Sequence, residues 1–167
     1  MKNKWILLLI FFSTCVFSYP PLATVKRVNL NRYMGRWYEI ARLPAFFQRG
    51  CSCTTATYQL TNQFVKVTNR CLKKGKFTTS NGKGFLVPNS GNAKLKIQFF
   101  WPFKGDYWII YLNKSYRYAI VGDPSRKYLW ILARSKRITQ STYQRLVRIA
   151  KSRRFDTSKL IKDNNRC

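Results

Sequence analysis

Proton transfer and covalent attack need a carboxylate, an imidazole or an activated nucleophile set beside a partner, and this sequence offers few such groups. It has no histidine, a single glutamate, Glu39, and four aspartates, Asp106, Asp123, Asp156 and Asp163, against 32 lysines and arginines. Asp106 follows a glycine in a turn, Asp123 precedes Pro124, and Asp156 reads as a helix-end residue. No two carboxylates are spaced as an acid and base, and no nucleophile has a base beside it, so no catalytic residue is assigned. The expectation is a protein that binds rather than one that reacts, with no cofactor.

The cysteines are the other reactive group. Near the N-terminus two lysines, Lys2 and Lys4, flank an apolar run from Trp5 to Phe12, too short to span a bilayer as a helix and suited to the core of a secretory signal. Cleavage after Ser18 gives a signal peptide over residues 1–18 and a mature domain over 19–167; lipid attachment at Cys15 is the alternative, which would make an outer-membrane lipoprotein. Either way Cys51, Cys53, Cys71 and Cys167 remain, an even set for an oxidising compartment such as the periplasm or the exterior. Two disulfides are expected, and four cysteines permit three pairings. A metal site is not expected, since histidine is absent and Cys51-x-Cys53 lacks the spacing of common zinc knuckles.

Loss of residues 1–18 removes two lysines, leaving 30 basic and 5 acidic residues and a net charge of +25, against +27 for the whole chain. A field of this size attracts anionic surfaces of any kind, an anionic membrane among them, and names no partner by itself. The many aromatics read as alternating strand residues rather than an exposed stacking platform, so no specific nucleic acid is expected.

The elements that would position these groups are mostly strands. Turn signals recur about every ten residues, and candidate strands run over Arg36–Leu43, Thr54–Leu60, Phe64–Cys71, Lys76–Ser80, Lys83–Val87, Lys94–Phe100, Tyr107–Leu112, Tyr118–Gly122 and Tyr128–Ala133. Asn81-Gly82 and Pro102–Asp106 are read as punctuation between them. In AKLKIQFF, Leu95, Ile97 and Phe99 share one face, while Lys94, Lys96 and Gln98 share the other. Many strands with one apolar face each are satisfied by closing the sheet on itself. One segment breaks the period: between Thr139 and Arg153, Tyr143, Leu146, Val147 and Ala150 recur at helical spacing, with Thr139 or Ser141 placed to cap the start. The architecture predicted is an all-β barrel with one helix docked outside.

Gly35-x-Trp37 followed by Tyr38-Glu39-Ile40-Ala41-Arg42 resembles the first-strand signature of the lipocalins. The likeness continues through Ala56-Thr57-Tyr58, Tyr116-Arg117-Tyr118-Ala119, Tyr128 to Arg134 and Phe155-Asp156-x-Ser158-Lys159, so it spans Leu30 to Cys167. It is strongest toward the bacterial outer-membrane branch and apolipoprotein D. The resemblance implies an eight-stranded antiparallel up-and-down barrel with a C-terminal helix, in which Gly35, Trp37 and Arg134 are structural and Arg134 lies across the Trp37 indole. It implies inward positions at Tyr58, Asn69, Phe99, Trp130 and Leu132, to which Ile97 and Phe85 are added. These positions either fill the barrel as ordinary core or line a cavity for one small ligand. The ligand implied is a fatty acid or lysophospholipid carried by an exported protein; the alternative is a basic protein facing a host or membrane surface with no carrier role. The resemblance to apolipoprotein D also implies Cys53–Cys167, leaving Cys51–Cys71.

Strand parity sets Trp37, Glu39 and Ala41 on one face of the first strand and Tyr38, Ile40 and Arg42 on the other. The sole glutamate is therefore expected to face inward, where its carboxylate needs hydrogen bonds, a cation or a proton.

Overall fold

In the computed structural model, which describes residues 20–167, the strands form one antiparallel sheet. They are β1 Gly35–Arg42, β2 Ser52–Leu60, β3 Val65–Lys73, β4 Lys76–Leu86, β5 Lys94–Phe100, β6 Phe103–Leu112, β7 Tyr118–Gly122, β8 Leu129–Ala133 and a short β9, Ile161–Lys162. Helix α1 covers Leu30–Tyr33 and helix α2 covers Gln140–Ser152. Strands β1 to β8 each pair with their sequence neighbours, and β1 also pairs with β8, which closes an eight-stranded barrel. Strand β9 takes the edge of β1 at Ala41 and Arg42, beyond the Gly35–Tyr38 stretch that pairs with β2. The signal segment assigned to residues 1–18, with Cys15, lies outside the described residues.

Alternation of strand direction sorts the connections into two ends. Residues 61–64, 87–93 and 113–117 lie with α1 at one end; residues 43–51, 74–75, 101–102 and 123–128 lie at the other.

Two apolar cores follow from the two faces of the sheet. Inside the barrel, Val28, Tyr33, Trp37, Tyr58, Val65, Val67, Leu95, Ile109, Val121 and Leu132 pack together. Outside, α2 lays Leu146 and Ala150 against Ile40, Ala41, Ile110, Ile120, Ile131 and Phe155. Thr139 caps this helix, its Oγ1 accepting from the Thr142 amide. Gly122 lets the two meet closely, since a Cβ there would sit 2.6 Å from the Phe155 ring.

Three local expectations are corrected. Lys76–Ser80 and Lys83–Val87 are one strand: Asn81 pairs with Thr68, whose hydroxyl donates to Asn81 Oδ1, and Gly82 pairs with Val67. Gly82 answers to space rather than to a turn, because a Cβ there would approach Gln98 O and the Phe99 ring to 2.9 Å. Likewise β6 begins at Phe103, four residues before Tyr107, with Asp106 inside the strand opposite Lys96. The third concerns β1, whose register against β8 shifts between Glu39 and Ala41. Beyond that irregularity the parity slips by one: Ile40 and Ala41 both join the core beneath α2, and Arg42 turns back to the face of Glu39.

Candidate functional site

The α1 end of the barrel is plugged. Trp37 is fully buried and donates its indole N–H to Tyr33 O at 2.9 Å. The Arg134 guanidinium lies 3.9 Å from the centre of the Trp37 ring. Its N–H groups reach the carbonyls of Arg36 at 2.7 Å, Arg32 at 2.8 Å, Met34 at 2.8 Å, Tyr33 at 3.0 Å and Tyr116 at 3.3 Å. One planar cation thus gathers the orphan carbonyls of the α1 turn and covers the indole. Gly35 sits beneath it at φ +87°, where a side chain would be strained.

Above the plug, three phenols form a chain. Tyr33 and Tyr107 hydroxyls are 2.7 Å apart, and Tyr107 donates to Tyr58 at 2.8 Å. Burial pushes all three away from ionisation, Tyr58 to about 12 and the others well above their ordinary 10. They act as neutral donors and acceptors. Of these only Tyr58 was singled out in the sequence, although Tyr107 shares the inward parity of Ile109 and Tyr33 stands two residues before Gly35.

Register places most of the expected lining residues inward. Asn69 pairs with Ala56, Ile97 with Gly84, and Trp130 and Leu132 with Val121 and Ala119 of the inner core. Ile97, Phe99 and Trp130 are partly buried against that core, and Asn69 is partly buried too. The Asn69 Oδ1 atom is buried and makes no hydrogen bond among the described residues. Phe85 is the exception: it pairs with Lys96 on the outer face, contacts Phe64, and lies under the Lys104 ammonium at 4.4 Å. Its neighbour Gly84 holds the inward position instead, where Ile97 and Leu95 pack so closely that a Cβ would sit 2.9 Å from Ile97 Cδ1.

Glu39 finds its partners further up the barrel. Arg42 Nη1 donates to Oε1 at 2.6 Å, and Gln48 Nε2 donates to Oε2 at 2.6 Å. Gln48 belongs to the β1–β2 connection, and its own Oε1 accepts from the Trp130 indole at 2.9 Å. Arg42 Nη2 also reaches Gln48 O and Cys51 O, both at 3.3 Å. Burial raises the Glu39 pKa from its usual 4.5, while Arg42 and the Gln48 amide oppose the rise. No sequence signal marks Gln48, and Arg42 is hidden from parity by the bulge.

A model of the lipocalin-like domain matches residues 28–165. The chain is 40% identical to temperature-induced lipocalin-1 of Arabidopsis thaliana, over 84% of this chain and 81% of that one. It is 36% identical to the outer membrane lipoprotein Blc of Vibrio cholerae, over 93% and 94%.

The chain belongs to the lipocalin family.

Apolipoprotein D of Macaca fascicularis is 33% identical over 89% of this chain and 82% of its own. Insecticyanin of Manduca sexta shares the fold with a TM-score of 0.72 at 24% identity, over 87% of this chain and 85% of that one.

The four aspartates of the lipocalin barrel are occupied structurally. Asp163 accepts from the Cys53 and Thr54 amides at 2.7 and 2.9 Å, Asp106 pairs with Lys96 at 2.7 Å, Asp123 accepts from Ser125 and Tyr128, and Asp156 pairs with Lys159. Disulfides join Cys51 to Cys71 and Cys53 to Cys167, with Cα atoms 5.5 and 6.1 Å apart. Two depressions form on the outer surface. One, of about 250 Å³, runs between Arg36, Tyr38, Thr55, Thr57, Arg70 and Phe77; the other, wide open, lies along Ser135–Arg137 and the C-terminal residues. Both are lined by outward-facing or tail residues rather than by the barrel interior.

Proposed function

We propose that this lipocalin is an exported, non-enzymatic carrier that holds a fatty acid or lysophospholipid in the upper barrel, tail inward and anionic group toward the open end. The observation that carries this reading is the wall of partly buried Ile97, Phe99 and Trp130 with the unpartnered Asn69 Oδ1 among them. An acyl chain suits such a wall: burying about ten methylenes is worth roughly 8 kcal/mol before ordering costs are subtracted.

Depth is set by polar groups. A tail descending past Trp130 meets the Glu39–Arg42 pair and then the Tyr107–Tyr58 hydroxyls, none of which an alkyl end can replace as a hydrogen-bond partner. The carboxylate or phosphate stays at the mouth, among exposed lysines and Arg49. Export is supported by the N-terminal apolar run and by the names of relatives such as the Vibrio cholerae outer membrane lipoprotein.

Titration with a fluorescent fatty acid, and separately with a lysophospholipid, tests the reading. One saturable site for either class, displaced by unlabelled lipid, is expected; no saturable binding to either rejects it.

A further inference from the structure

Most of the large hydrophobic side chains left in solvent gather at one end of the barrel. Phe100, Trp101 and Phe103, in and around the β5–β6 turn, are 79%, 86% and 77% exposed; Phe46 and Phe47 stand on the β1–β2 connection and Phe77 at the start of β4. Strand alternation brings all three regions to the open end. Cations surround them: Arg49, Lys73, Lys74, Lys76, Lys104 and Lys127 are exposed in or beside the same connections. The sole carboxylate of these connections, Asp123, is bound within its own turn to Ser125 and Tyr128.

Exposed aromatic tips interleaved with lysines, without free carboxylates, match the water–hydrocarbon boundary of an anionic bilayer, where ring faces settle among headgroups and ammonium groups meet phosphates. We propose that the open-end rim is a membrane-docking surface that sets the barrel mouth-down on an anionic lipid bilayer. Phe47 links this rim to the interior, its ring 6.4 Å from that of Trp130 and 5.6 Å from that of Tyr128. A lipid leaving the bilayer would therefore meet apolar contacts from the boundary to the upper wall. The docking does not depend on the cargo: a barrel that fails to bind fatty acid can still dock.

The test is sedimentation of the full mature chain with vesicles of phosphatidylcholine alone and of phosphatidylcholine mixed with phosphatidylglycerol. The parent protein should pellet with the anionic vesicles. A Phe100→Ser/Trp101→Ser/Phe103→Ser variant should lose roughly tenfold or more in partitioning, and a Leu60→Ser/Lys66→Gln control toward the α1 end should bind as the parent does. Trp101→Phe keeps the aromatic rim, so it should bind normally yet lose quenching by brominated phosphatidylcholine. The proposal is overturned if the parent does not pellet, or if the rim variant binds unchanged while folded. It also fails if the control loses binding equally, which would show diffuse charge attraction, or if the rim variant instead dissolves a dimer of the parent, which would make a second copy the occupant.

Discussion

The two ends of the barrel are held by different physics. At the α1 end, one buried indole and one guanidinium organise the turn: Trp37 fills the space and Arg134 binds five backbone carbonyls around it. At the other end the chain is tied covalently, by Cys51–Cys71 and Cys53–Cys167, while its aromatic side chains stay in water. The difference separates stability from access. The plugged end is held by buried packing around Trp37, whereas the opposite end is held by cross-links and leaves its aromatic side chains exposed.

Breaking the covalent tie is expected to have the largest effect. Replacing Cys53 and Cys167 by serine releases a loop of 114 residues and should cost about 4–5 kcal/mol in the loop-entropy account, against about 3 kcal/mol for the shorter Cys51–Cys71 link. Denaturant midpoints of the two double variants measure this order; equal losses would mean that loop length does not set it. Trp37→Ala should cost about 3–5 kcal/mol by leaving a cavity beneath Arg134. Urea unfolding would show it, and a loss no larger than that of an exposed aromatic would break the contrast between the ends. Trp101→Ala provides that comparison and should change stability by no more than about 0.5 kcal/mol.

Glu39 lies between the two regimes and gives a smaller, pH-dependent effect. Its folded pKa is raised above 4.5, so between 4.5 and the folded value the native state binds more protons than the unfolded chain. Its contribution is then fully present below 4.5 and is lost as pH rises through the folded value. Glu39→Gln should flatten that fall, and unfolding curves of parent and variant across this window give the comparison; parallel curves would show that Glu39 titrates normally. The same variant should alter lipid affinity if the pair limits ligand depth, and leave it unchanged if the pair only anchors Gln48.

Much of this was legible in the residue order, for reasons that differ by element. The alternation of Leu95, Ile97 and Phe99 and the helical spacing of Leu146 and Ala150 depend on one buried face each, and the structure puts those faces against the two cores. Glu39 faces inward and finds a cation, as parity and the cost of a buried carboxylate require. Its cation was not legible, because a one-residue shift in register leaves no mark in composition yet carries Arg42 from one face to the other. Asn81-Gly82 imitates a hairpin turn, since the same residue types serve where strands crowd and Gly82 must make room for Phe99. Phe85 was expected inward, but the register turns it outward and gives the inward position to Gly84, where Ile97 and Leu95 leave no room for a Cβ.

The central claim is that the upper barrel receives one lipid tail. Its most direct test is titration of the folded, oxidised protein with a fluorescent fatty acid, comparing the parent with Ala56→Trp, which places an indole in the lumen beside Asn69 and leaves the rim untouched. The account predicts a single saturable site in the parent and a loss of roughly tenfold or more in the filled variant, within the range that mutating one well-buried ligand contact gives. Equal binding by both, or none by the parent, would contradict it.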